Sequence, residues 1–171
     1  MPKYSIAKSV VALLLCALMI VVPLAVQAAT NPLVATINGT FTDVNGTGTF
    51  AGTFRITGFA VQNGQLVAVG LLSGTLTNAL GQVLGTITNL ATSIPVAASG
   101  SCQILTLTLG PLDLNLLGLM VHLNQVVLTI TAQQGPGNLL GNLLCALAHL
   151  LDNNGPLSSI AALLNQILAA L

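Results

Sequence analysis

From Leu33 to about Gln133 the chain alternates apolar residues with small or polar ones at a period of two; after Gly135-Pro136-Gly137 the period becomes helical. A period of two puts successive side chains on opposite faces of an extended strand, so one face can be buried and the other wetted. The segment Thr49 to Ile56 shows the pattern, with Phe50, Phe54 and Ile56 on one face and Thr and Arg55 on the other. Thr, Val, Ile and Phe are the residues that fit a pleated, half-buried surface, and Gly recurs where turns are needed.

Asn63-Gly64 is the sharpest local signal, because both residues tolerate the positive φ angles of a type I′ turn and so close a hairpin. Pairing outward from that turn sets Val61 opposite Leu66 and Phe59 opposite Ala68. Gly58 falls where the apolar phase switches from even to odd positions, which predicts a β-bulge. The second arm of the hairpin runs from Gln65 to Thr77, and a turn at Asn78-Ala79-Leu80-Gly81 returns the chain into Val83 to Leu90. Further strands are expected over Cys102–Leu109, Leu112–Leu123 and Gln125–Thr131. Several short strands with turns between them argue for an antiparallel sandwich, an open barrel or a strongly curved sheet.

Residues 138–151 are apolar almost all round, with Asn138, Asn142, Cys145, His149 and Asp152 forming one narrow polar stripe. Asp152 to Pro156 reads as a turn. Leu157, Ile160, Leu164, Ile167 and Leu171 then fall at three-four spacing, which predicts a second, amphipathic helix over 157–171. The short turn folds the second helix back on the first, so the fold class is mainly β with a C-terminal helical hairpin packed on the sheet (α+β).

The beginning of the chain reads differently. Lys3 and Lys8 form a positive n-region, Val10 to Val22 is an uncharged apolar run, and Pro23 and Val26-Gln27-Ala28 complete a signal peptide with cleavage expected after Ala28. An uncleaved N-terminal anchor is the rival reading. Cys16 as a lipid-attachment residue is disfavoured by the bulky Leu15 before it. The remainder, 29–171, is expected to form a single secreted domain at the cell surface or outside it, with strands over about 33–133 and no membrane span.

Past residue 28 the charged side chains are Arg55, Asp43, Asp113 and Asp152, with no Glu, Trp or Tyr. Binding nucleic acid needs several Lys or Arg to meet the phosphates, so nucleic acid is excluded as a partner. Two cysteines remain there, Cys102 and Cys145, and in an oxidising compartment one disulfide is the simple reading. It would close a loop of about 43 residues, worth roughly 4 kcal/mol through loop-closure entropy. Two buried free thiols are the alternative. Metal binding is not expected, since no His or third Cys is read at ligand spacing to the pair.

Catalytic chemistry finds little support. A nucleophile needs a base and an orienting carboxylate beside it, and Ser99, Ser101, Ser158 and Ser159 lie in no Gly-x-Ser-x-Gly elbow. The three Asp sit in separate segments, as paired-carboxylate hydrolysis would not allow. There is no His-Glu-x-x-His, P-loop or dinucleotide fingerprint, and no cofactor is expected. His149 and Asp152, three apart on a helix, are expected as a surface pair at the helix end. His122 is expected as a solvent-facing or satisfied polar residue. Asn38-Gly-Thr40 and Asn45-Gly-Thr47 match the glycosylation acceptor pattern but read as hairpin-turn composition.

The segment Cys102 to Leu119, with Val121-His122-Leu123 and Gly137-Asn-Leu-Leu-Gly-Asn-Leu-Leu-Cys145, resembles a family of uncharacterised secreted bacterial proteins. Gly52-Thr-Phe and Gly74-Thr-Leu-Thr upstream are similar too, and the Gly-Asn-Leu-Leu-Gly-Asn-Leu-Leu-Cys stretch is the most specific part. The resemblance implies a bacterial exported protein and a structural role for both cysteines. Asp113 matches the Gly-Pro-Leu-Asp motif, to which the resemblance attaches no role, and it implies no activity. The functional expectation is a secreted structural or cell-surface module that is not an enzyme. The alternative is an extracellular carrier whose curved sheet and helices enclose an apolar ligand.

Overall fold

The computed structural model describes residues 33–171, so the expected leader, its cleavage site and Cys16 lie outside the described residues. Among the described residues, eight strands precede two helices. The strands are β1 Leu33–Asp43, β2 Gly46–Gln62, β3 Gln65–Thr77, β4 Val83–Gly100, β5 Ile104–Leu109, β6 Leu112–Leu116, β7 Leu119–Leu123 and β8 Val126–Thr131. The helices are α1 Leu139–Asp152 and α2 Leu157–Ala170. All strands join one antiparallel sheet in the order β6-β7-β1-β2-β3-β4-β5-β8.

That order and the connections together force the sheet to roll. β5 and β6 stand six places apart in it, which in a flat sheet means about 29 Å at the usual strand spacing. Gly110-Pro111 alone links them, and so short a link reaches at most about 11 Å. Asn124-Gln125 makes the same jump from β7 to β8. The sheet therefore curls until its ends approach, bringing β1 near β8 and β4 near β6, but no ladder closes it. Of the architectures the sequence left open, the structure takes the curved, unclosed sheet.

The local expectations around the central hairpin hold. Asn63 (φ 52°) and Gly64 (φ 75°) make the tight turn, Val61 pairs with Leu66 and Phe59 with Ala68. The register slips between Ile56 and Gly58, as a bulge requires. Three boundaries need correction. Leu112–Leu123 is two strands, because Leu117 and Gly118 take positive φ and Asn115 Oδ1 accepts the Gly118 N–H at 3.0 Å. Leucine is a poor left-handed residue, so its apolar character hid the turn; its side chain occupies the space a Cβ on Gly85 would fill. The fourth strand runs past Leu90 to Gly100, through Pro95 and through Asn89 at φ 50°, two residues that usually interrupt a strand. Cys102 precedes β5, in the short turn after β4.

The inner face carries the core. Ile37 and Phe41 of β1, Phe50, Phe54 and Ile56 of β2, Leu72 and Leu76 of β3 and Leu105, Leu107 and Leu109 of β5 are all buried. Glycines on this face make room for the aromatic rings: a Cβ on Gly74 would stand 2.5 Å from Phe50 Cζ. Gly52 pairs with Gly74, so the Phe50 ring lies across a two-glycine gap in adjacent strands. The helices cover the other part of the curve. α2 contacts β2 and β3, and α1 contacts β4 and β5. Ile160, Leu164 and Ile167 of α2 and Leu144 and Leu147 of α1 are buried, so the expected helical hairpin does pack on the sheet. Among the described residues, no helix is long and apolar enough to cross a membrane.

Candidate functional site

Cys102 and Cys145 come together with their sulfurs at disulfide-bonding distance, joining α1 to the turn between β4 and β5. Ser101 and Ile104 close that turn with reciprocal backbone hydrogen bonds, which holds Cys102 against the helix. Cys145 is buried and Cys102 half-buried. His149, one helical turn beyond Cys145, places Nε2 3.8 Å from Cys145 Sγ, and its ligand atom and both sulfurs lie within 4.8 Å of one another. The expectation that no His stands at ligand spacing is therefore wrong. An i, i+4 pair on a helix shares one face, and that spacing was visible in the polar stripe itself.

His149 makes no hydrogen bond to Asp152 among the described residues, in contrast to the expected pair. Asn153 caps the helix end instead, its backbone N–H and its Nδ2 both donating to the His149 carbonyl. Asp113 and His122 do meet: His122 Nδ1 lies 2.7 Å from Asp113 Oδ1, across the β6–β7 hairpin, with both side chains more than half exposed. The hidden Leu117-Gly118 turn is what makes them cross-strand partners, so the pair could not be read from a single twelve-residue strand. Asp43 accepts the Asn45 N–H in the β1–β2 turn. Ser99, Ser101, Ser158 and Ser159 form no hydrogen bond to either His among the described residues, so no nucleophile–base pair is assembled there.

One polar residue was missed altogether. Asn165 reads as part of the wet face of α2, yet its Oδ1 accepts the Phe59 N–H at 2.7 Å and its Nδ2 donates to the Phe59 carbonyl at 2.9 Å. Among the described residues, β1 pairs with β2 only as far as Leu33 opposite Ile56, and none of them pairs with β2 on this side past that point. There the amide of Asn165 takes the two hydrogen bonds that a strand neighbour would otherwise make. The bulge at Gly58 brings α2 close enough for it, with a Cβ there standing 3.3 Å from Asn165 Oδ1.

Among the spaces in the described residues, an interior seam and a rim groove bear on an apolar ligand. Between α2 and the sheet, an apolar seam lined by Phe59, Leu105, Leu107, Ile130, Leu164 and Ile167 has no room for a water molecule. An open groove of about 450 Å³ lies on the rim, between Leu66, Pro95 and Val96 of the sheet and Leu151, Leu157 and Ile160 of the helices. The outer face of the sheet is instead a set of polar ranks. Thr36 pairs with Thr53 and Thr53 with Ser73; Thr40 pairs with Thr49 and Thr49 with Thr77. His122 extends the second rank from the other side of Thr40, and Asp113 ends it.

No family model, no curated protein and no solved structure matches this chain.

Proposed function

We propose that this chain is an exported, non-catalytic structural module of the bacterial cell surface or its surroundings. The observation that carries the reading is the outer face over a tightly packed interior, where ranks of Thr and Ser cross β1, β2 and β3 and one rank continues through His122 of β7 to Asp113 of β6. Such a face wets the protein mainly with neutral hydroxyls, its charges being few, and cross-strand Thr pairs add stability of their own. The cysteine pair, the scarcity of charge and the signal-like leader point the same way. The filled seam between α2 and the sheet favours this reading over a carrier with an interior cavity. An apolar ligand would depend on open rim spaces such as the groove beside Leu66, Pro95 and Ile160.

The test is expression of the full chain in a bacterial host, followed by fractionation, N-terminal sequencing and native mass spectrometry with lipid extraction. The expected result is an extracytoplasmic protein that starts at Ala29 and carries no bound small molecule. A cytoplasmic chain retaining Met1 would overturn export, and a stoichiometric co-purified lipid would favour the carrier.

A further inference from the structure

The cysteine pair has a neighbour that a purely structural disulfide does not require. We infer that, once the disulfide is reduced, Cys102, Cys145 and His149 form a three-ligand site for Zn²⁺. The inference goes beyond the proposed structural role and does not depend on it.

The geometry is close to what the ion needs. Zinc takes thiolate sulfur at about 2.3 Å and imidazole nitrogen at about 2.0–2.1 Å in tetrahedral arrangement, so its S···N and S···S edges are about 3.6 and 3.8 Å. Cys145 Sγ and His149 Nε2 already stand 3.8 Å apart. These two ligands sit one turn apart on α1, a rigid element, so their separation is preset by the helix. Cys102 lies in a short turn, and all three ligand atoms lie within 4.8 Å of one another, so once the bond is cut a modest shift of that turn would let its sulfur take the third vertex. Two thiolates and an imidazole suit zinc better than a hard cation, which would prefer oxygen ligands. Cys145 is buried and His149 exposed, so one side of the ion is shielded while the fourth position faces solvent, open to water.

The chemistry balances with a dithiol as reductant. The dithiol gives two electrons and two protons to the Cys102–Cys145 bond and becomes its own disulfide, leaving two thiols. Zinc then displaces both thiol protons to the solvent, and neutral His149 binds through Nε2 without losing a proton. Disulfide and metal site exclude each other, since both use the same two sulfurs.

The test uses the full chain carrying Cys16→Ser, so that Cys102 and Cys145 are its two cysteines, with Co²⁺ as a spectroscopic probe for zinc. After reduction with a phosphine, one equivalent of Co²⁺ should produce thiolate-to-cobalt charge-transfer absorption and tetrahedral visible bands, and Zn²⁺ should abolish both. The oxidised protein should show neither. His149→Ala, at an exposed position, should lower the affinity at least about tenfold and shift the visible bands, while His122→Ala leaves both unchanged. Far-UV circular dichroism follows the fold throughout. A reduced protein without the charge-transfer band, folded or not, overturns the inference. So does His149→Ala binding Co²⁺ as tightly as its parent.

Discussion

Asn165→Ala tests the argument that a single side chain completes the edge of β2. The substitution removes two hydrogen bonds, of 2.7 and 2.9 Å, and leaves the Phe59 N–H and carbonyl without partners at a half-buried edge. Each such bond contributes about 0.5–1.5 kcal/mol net, so the pair is worth about 2 kcal/mol. Alanine is the better helix former, by about 0.5 kcal/mol over asparagine, which offsets part of the loss. The expected net destabilisation is about 1.5 kcal/mol. For a domain of this length that corresponds to a fall in Tm of roughly 4–6 °C. Urea unfolding followed by circular dichroism, without reductant so that the disulfide persists, reads the difference directly. Gln166→Ala, one residue along on the exposed face, is the control and should change stability by less than about 0.5 kcal/mol. If Asn165→Ala is as stable as its parent, solvent satisfies Phe59 equally well and the idea of a substitute strand fails.

Leu164→Asp puts a carboxylate where the side chain is 1% exposed and should cost several kcal/mol, seen as loss of the cooperative thermal transition; a variant that melts like the parent would show that α2 is not held on the sheet in solution. Gly74→Ala should cost about 1–3 kcal/mol in the same urea assay, because its Cβ would meet both Phe50 Cζ at 2.5 Å and the Ala51 carbonyl oxygen at 2.6 Å, and the latter is backbone that cannot turn aside.

Much of this architecture was legible because local chemistry and tertiary outcome agree. Asn63-Gly64 determined its hairpin, and the hairpin then fixed its own register, since slipping by one residue would turn Phe54 and Leu72 outward. The change of period after Gly135-Pro136-Gly137 set the switch from sheet to helices, and the i, i+4 placement of Cys145 and His149 was present in the sequence although its meaning was not drawn from it. Where the local signal contradicted the outcome, reading failed. Leu117 occupies a left-handed turn that its side chain disfavours, and Asn89 and Pro95 lie inside a continuous strand.

What the sequence determined by itself, then, is the pattern of faces: which residues are buried, where tight turns fall and where helices begin, since each depends on neighbours a few positions away. Tertiary structure alone decided the roll of the sheet and everything that follows from it. The jump across Gly110-Pro111 carries the chain between strands distant in the sheet order, and no local preference encodes that choice. Only then does Cys102 meet Cys145 beside His149, and only then does Asn165 reach Phe59, 106 residues earlier in the chain. The cysteine pairing could be expected from their number and compartment, but the place of His149 beside it and the reach of Asn165 to Phe59 depend on how separate elements pack together.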